Sequence, residues 1–347
     1  MRIAIIELFI KGHNLRGTGI YANNLKKALG KMYPGEIIEA NASKLPTNCD
    51  IYHFPYFDPF FLTLPFIIHK PIVITIHDLI PLRFPEYFPR GFKGEFKWQI
   101  QKMLARGAEA IITDSYASKA DIGKYMGIKE SKIHPIYLAA DNIFFHKLLE
   151  TDKLKVRSKY SLPEQFALYV GDVNWNKNLV NVIKAVKSIN FPLVIVSKVI
   201  NNKQSDIENL WLQELVQIRK EIQDSKLFFV LNNVSQVELA NLYQMSKMLL
   251  YPSRYEGFGL PVMEAFASGC PVITTDKGSL KEITGDAVIV VNPESPNEIA
   301  HAIQNILNNQ ELCLALITKG NSQAKQFSWE KTAEKTYSVY TQVLAKH

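Results

Sequence analysis

Residues 248–275 read MLLYPSRYEGFGLPVMEAFASGCPVITT. The stretch opens on one short apolar run, Met248–Tyr251, and closes on another, Val272–Thr275. Runs of that length bounded by glycine and proline are strands, and the residues between them are enough for a crossover helix, so the segment reads as a strand–helix–strand unit of a parallel sheet. Pro261 suits the first position of that helix, where its missing N–H has no partner to lose. The glycine-rich turn Glu256-Gly257-Phe258-Gly259 thus carries a helix N-terminus and its backbone N–H groups to the carboxyl end of a strand, an arrangement that binds anions.

The same alternation extends in both directions. Upstream, Ile3–Ile10, Ile37–Ala40, Ile51–Phe54, Ile72–Ile76 and Ala110–Thr113 form one series of strands; Phe166–Gly171, Leu193–Ser197, Leu227–Leu231, Met248–Tyr251, Val272–Thr275 and Val288–Val291 form a second. The polar, basic segment Leu148–Lys159 and the punctuation Ser161-Leu162-Pro163 separate them. The expected architecture is α/β, with two doubly wound Rossmann-like domains facing across a cleft: residues 1–155, residues 156–328, and a closing helix over 329–347 that packs back on the first domain. Ligands of such sheets bind beyond the carboxyl ends of the strands.

Two carboxylates flank the turn, Glu256 before it and Glu264 within the helix. Acids beside an anion site repel phosphate unless each is aimed at hydroxyls on either side of it, and a sugar nucleotide has that layout. The alternative is that both serve the helix, one as a cap and one in its first turns. Elsewhere, His77-Asp78 follows the apolar run Ile72–Ile76, where a cleft residue belongs, although a lone histidine there also suits a satisfied core position. Gly17-Thr18-Gly19-Ile20-Tyr21-Ala22 fits the G-x-G-x-x-A pattern of dinucleotide-binding turns, with Glu39 available for a ribose. In that pattern the first glycine closes the strand directly, whereas here Lys11–Arg16 intervene.

The run EGFGLPVMEAFASGCPVI, with seven residues between its two glutamates, resembles the signature of glycosyltransferase family 4, large retaining enzymes of GT-B fold. RGTGIYANNL, ITIHDLIPL, IITDSYASKADI, YVGDVNWNKNL, NNVSQVELANLY and GSLKEITGDAVIVVNP are similar to further segments of that family, in its order and over most of the chain. The resemblance implies that Glu264 holds the donor ribose and Glu256 the transferred sugar, with Glu256 and His77 as the catalytic pair. It implies that the amides of Gly257, Phe258, Gly259 and Leu260 line the sugar and diphosphate, that Lys177 with Asn176 meets the diphosphate, and that Val234 pairs through its backbone with the base. Gly17 and Gly19 would let backbone approach the donor phosphate. Asn176 stands where many relatives have arginine, which leaves charge neutralisation to Lys177 and the helix N-terminus.

The implied reaction is transfer of a hexose, of mannose or glucose type, from a GDP- or UDP-linked sugar to a hydroxyl of a glycan or lipid-linked acceptor, with no cofactor. The chain has no P-loop, no H-E-x-x-H, no G-x-S-x-G and no Asp-x-Asp, so the expected chemistry is metal-free. Rival classes are an NAD-dependent oxidoreductase, a non-catalytic basic binding protein, and a GT-B phosphorylase or epimerase. Nucleic acid is not expected, because aromatic-basic platforms are lacking.

Composition fits a cytoplasmic enzyme. In 347 residues, 47% are apolar and 21% charged, which excludes disorder and mini-protein scaffolds. Three cysteines, at 49, 270 and 313, make neither a zinc spacing nor a disulfide framework. The net charge is +7, and residues 1–150 carry 19 basic against 14 acidic side chains. That excess suits an anionic partner or serves only solubility. Between Phe92 and Arg106, an apolar stripe (Phe92, Phe96, Ile100, Met103, Leu104) shares a helix with Lys93, Lys97, Lys102 and Arg106. The favoured reading is an amphipathic core helix with a solvated basic face; peripheral docking at the inner face of a membrane is the alternative.

Overall fold

The computed structural model describes residues 1–7, 17–66, 69–201, 211, 214–223 and 225–347. They form two compact units, Met1–Ala139 with Phe327–His347, and Ala140–Gln326.

Unit 1 holds strands β1 (Ile3–Glu7), β2 (Ile37–Asn41), β3 (Ile51–Phe54), β4 (Ile72–Thr75), β5 (Ala110–Thr113) and β6 (Ile133–Pro135) in one sheet of order β2-β1-β3-β4-β5-β6. Every pairing is parallel. All four residues of β3, β4 and β5 are buried, which explains why they read as continuous apolar runs and not as alternating ones. Strand β6 was not anticipated: three residues ending in proline leave no periodicity to read. The run Ile3–Ile10 gives a strand as far as Glu7; residues 8–10 and the segment Lys11–Arg16 lie outside the described residues.

The C-terminal helix Trp329–Leu344 belongs to unit 1 and packs along helix Gly17–Met32. Tyr337 stacks on Tyr33 with ring centroids 3.6 Å apart, and Thr332 donates to the Tyr137 carbonyl at 2.8 Å. Deeper in, the Tyr340 hydroxyl lies 2.6 Å from His53 Nδ1 on β3, whose Nε2 meets Thr75 Oγ1 at 2.7 Å. Burial pushes the His53 pKa down to about 3, with the charge of His77 adding to the effect, so the ring is a neutral link in this chain of hydrogen bonds.

Helix Gly91–Arg106 corrects the expected core helix. Its buried face is Gly94, Trp98, Gln101 and Ala105. Phe92, Phe96 and Met103 of the apolar stripe are 90%, 63% and 62% exposed. Gly94 approaches Phe60 closely enough that an added Cβ would lie 3.8 Å from the ring, and Gln101, fully buried, donates to the Asp58 carbonyl at 3.0 Å. One bulky aromatic and one multivalent amide thus decide which side faces inward, a choice that hydrophobic periodicity does not contain.

Unit 2 holds β7 (Ala167–Val170), β8 (Leu193–Val196), β9 (Phe228–Leu231), β10 (Met248–Tyr251), β11 (Val272–Thr274) and β12 (Val288–Val290), all parallel, in the order β12-β11-β10-β7-β8-β9. The strand order reverses between β7 and β10, which puts the ligand-binding crevice of such a sheet beyond their carboxyl ends. The chain enters this unit at Ala140, ahead of the polar segment that marks the boundary in the sequence. Phe144 is buried edge-on against Tyr243 at 5.9 Å, and the Leu148 N–H donates to Gln244 Oε1 at 3.2 Å. The segment that resembled a linker is helix Glu150–Lys159, whose polarity belongs to a solvated surface.

Candidate active site

In unit 2 the turn after β10 and the loop after β7 meet. Helix Leu260–Ala267 starts at Gly259, with Pro261 in its first turn and no side-chain cap. Glu256 therefore does not cap it. The Glu256 side chain is 6% exposed, and Lys177 Nζ reaches both carboxylate oxygens at 2.9 and 2.7 Å. The same ammonium donates to the Tyr251 hydroxyl at 2.8 Å. Burial disfavours the ammonium, but the Glu256 charge and these hydrogen bonds outweigh it, so the Lys177 pKa stands well above its ordinary value. The result is a fixed cation beside the glycine turn.

The turn itself is braced from both sides. Asn176, expected to touch the donor, is buried; its side-chain amide donates to the Tyr255 carbonyl at 3.1 Å, and its own carbonyl accepts from the Arg254 N–H at 2.8 Å. Asn178 holds a left-handed φ of 59° and donates to the carbonyls of Pro252 and Pro293 at 2.9 and 2.7 Å. On the other flank, the Ser279 hydroxyl lies 2.7 Å from Phe258 O, and its N–H donates to Glu256 O at 3.2 Å. Gly278 is required by this approach: at φ +61°, an added Cβ would stand 2.4 Å from the Glu256 carbonyl oxygen. Gly278→Ala is expected to cost about 2–4 kcal/mol through strain and overpacking, read as a lower denaturant midpoint. An unchanged midpoint would show that the turn is not held from this side.

Glu264 lies one turn into the helix, buried, with Oε2 accepting from the Tyr243 hydroxyl at 3.0 Å. Burial lifts its pKa to about 7; the Tyr243 hydrogen bond opposes the shift and Asp141 adds to it. Val234 lies at the carboxyl end of β9, just before helix Gln236–Met245, whose N-terminus is closed by a Ser235–Glu238 capping box. Lys177, the turn 256–260 and Glu264 are thus brought to one edge of the sheet, and Val234 to the same edge at its outermost strand.

In unit 1, His77 follows β4, and its Nδ1 lies 2.7 Å from Asp114 Oδ2 at the end of β5. Nε2 is 3.3 Å from the Pro55 carbonyl, and Tyr21 stands edge-on to the ring at 4.8 Å. Burial opposes the imidazolium, but Asp114 outweighs it and raises the His77 pKa. Asp114 Oδ1 is buried without a hydrogen-bond partner among the described residues. Gly17 and Gly19 lie inside the first turn of helix Gly17–Met32, not in a strand–helix turn, and Glu39 is paired with Lys26 at 3.1 Å. Neither feature suits a dinucleotide fingerprint.

Sequence reading missed Asp114, Tyr243, Tyr251, Asn178 and the Gly278-Ser279 brace. Asp114 and Tyr251 each sit at the carboxyl end of a legible strand, and sheet order alone would have flagged them. Among the described residues, no group of three or more His, Cys, Asp or Glu side chains could hold a metal ion.

Residues 151–323 match the family model described as glycosyl transferases group 1, and residues 16–142 match that of glycosyltransferase family 4. The chain is 30% identical over 300 residues to the O-antigen chain mannosyltransferase B of Escherichia coli, covering 84% of this chain and 74% of that protein. It is 32% identical over 236 residues to the O-antigen chain mannosyltransferase RfbU of Salmonella typhimurium, covering 67% and 60%. Among solved structures, sucrose-phosphate synthase from Thermosynechococcus elongatus matches over the whole of both chains with a TM-score of 0.76 at 18% identity. Anabaena Alr3699/HepE in complex with UDP and glucose matches with a TM-score of 0.74 at 16% identity, over 98% of this chain and 99% of that one.

Proposed function

Because the chain belongs to the glycosyl transferases of group 1 and family 4 and has the GT-B fold, it is a sugar-transferring enzyme, and we propose that it moves a mannosyl group from a nucleoside-diphosphate sugar to a hydroxyl of a glycan or lipid-linked acceptor. The mannosyltransferases among its relatives support the choice of sugar. The observation that carries the site assignment is the buried Lys177–Glu256 pair beside the glycine turn, with Glu264 behind it.

In this reading, Lys177 and the amides of Gly257 to Leu260 hold the diphosphate, and Glu264 accepts from the ribose hydroxyls. Glu256 and His77 attend the sugar, and the backbone at Val234 meets the base. Transfer proceeds with retention and without a metal. The bond from the anomeric carbon to the diphosphate oxygen breaks through an oxocarbenium-like transition state, and the acceptor oxygen bonds to the same face of that carbon. The acceptor proton passes to the departing phosphate oxygen, whose charge Lys177 and the amide dipoles stabilise.

A thermal-shift screen of GDP, UDP, ADP and NADH, followed by transfer from the sugar conjugate of the best ligand, tests this. The expected result is a higher Tm with one nucleoside diphosphate, since a ligand selective for the folded state stabilises it, and an α-linked product from an α-linked donor. Stabilisation by NADH alone, or an inverted product, overturns the corresponding part of the reading.

A further inference from the structure

We propose that Asp114 is a positioning residue for sugar transfer: it holds His77 as a doubly protonated ring locked between two acceptors, which keeps the histidine from acting as a base. The sheet brings the partners together. Thr75 of β4 is in register with Ile112 of β5, so His77 and Asp114, each two residues further on, leave adjacent strand ends side by side. On the other flank Phe54 of β3 pairs with Ile74, and Pro55 follows it. His77 thus spans three neighbouring strand ends, with Nδ1 2.7 Å from Asp114 Oδ2 and Nε2 3.3 Å from Pro55 O. A peptide carbonyl only accepts, so Nε2 carries a proton; an ionised carboxylate only accepts, so Nδ1 carries one too. Tyr21 stands edge-on to the ring at 4.8 Å and steadies its plane.

The carboxylate brings the fold little by itself. Asp114 is buried, and among the described residues the His77 ring is its hydrogen-bond partner while Oδ1 has none. A buried acid kept for stability alone is expected to have both oxygens satisfied. Burial works against a charged ring at position 77, but Asp114 from β5 and Asp78 from the ring's own turn outweigh it. The other titratable neighbours add no charge: burial holds His53 on β3 neutral and keeps the Tyr21 hydroxyl of helix Gly17–Met32 protonated. The role rests on the reading in which His77 attends the sugar. There, imidazolium and carboxylate together carry no net charge and do not repel the positive charge that grows at the anomeric carbon. With no free lone pair on the ring, the acceptor proton is left to the departing phosphate oxygen.

Two measurements on the full chain test this. Long-range proton–nitrogen spectra of the chain labelled at its eight histidines, assigned with His77→Gln, read each ring nitrogen without any substrate. At neutral pH both His77 nitrogens are expected in the protonated range, and in Asp114→Asn one is expected to move to the unprotonated range. A bare His77 nitrogen in the parent overturns the proposal. Hydrolysis of GDP-mannose and of UDP-glucose is then followed against pH. Asp114→Asn is expected to lower kcat about 30- to 100-fold with little change in KM, and to move the alkaline limb of kcat down by about one pH unit or more. Asp114→Asn added to His77→Gln is expected to slow turnover no further, since the acid acts through the ring. A variant that keeps the parent's pH profile, or whose loss adds to that of His77→Gln, overturns the role. A parent chain that turns over neither donor refutes the sugar-transfer reading and the role with it; the ring spectra need no donor, so the two failures are told apart.

Discussion

Lys177→Ala is expected to lower kcat/KM about 10²- to 10³-fold and to destabilise the fold by about 3 kcal/mol, two effects with separate origins. The first is the loss of the cation that, in the proposed reading, faces the leaving diphosphate. The second arises because Glu256, 6% exposed, is left buried without its ion-pair partner. Adding Glu256→Gln to the alanine variant removes that stranded charge. Urea unfolding should then recover most of the lost stability while turnover stays low. If turnover returns along with stability, the lysine serves only to neutralise a buried acid, and diphosphate binding must be assigned elsewhere.

Glu264→Gln is expected to bind nucleotide about 10- to 100-fold more weakly and yet to be more stable than the parent at pH 8. A carboxyl whose pKa is raised on folding from 4.5 to about 7 holds more protons folded than unfolded between those values. It therefore weakens the fold as pH climbs from about 4.5 to about 7, and the whole penalty is present above that window. Glutamine carries no charge to desolvate and still accepts from Tyr243, so the gain at pH 8 is about 2–3 kcal/mol and vanishes near pH 4. In the proposed reading the ribose hydroxyls of the parent complex donate to the ionised form, so affinity is expected to rise with pH through about 7, with proton release seen as buffer-dependent heats in calorimetry. Undiminished affinity of the glutamine variant removes Glu264 from the ribose; a less stable variant at pH 8 removes the burial penalty.

Both substitutions fall on residues visible in the sequence, and that reflects how this site is coded. Glycine, proline and acids at fixed offsets around 256–264 announce a turn, a helix start and two polar side chains within one stretch, because the constraints there are local. The alternation of apolar runs likewise exposes all but one strand, since strands buried on both faces must be apolar throughout. What stayed hidden depends on neighbours distant in sequence. Asp114 acquires meaning only when β5 lies beside β4, which puts it 2.7 Å from His77. Asn176 reads as a phosphate ligand in the sequence, which does not show that its side-chain amide also meets the Tyr255 carbonyl. For helix Gly91–Arg106, a stripe of phenylalanines is the same string whether it meets a core or a solvent boundary.

Strand β3 and helix Trp329–Leu344 are almost 300 positions apart, yet His53 and the Tyr340 hydroxyl are 2.6 Å from each other. During synthesis the unit Ala140–Gln326 is complete and free to settle while the unit bearing His77 still awaits helix Trp329–Leu344. A ribosome stalled after residue 326 would leave His53 Nδ1 without the Tyr340 hydroxyl and helix Gly17–Met32 with a bare flank. Nonsense changes late in the reading frame are thus expected to spare the unit that carries Lys177 and Glu264 and to cripple the other, and such truncated chains would be substrates for quality control.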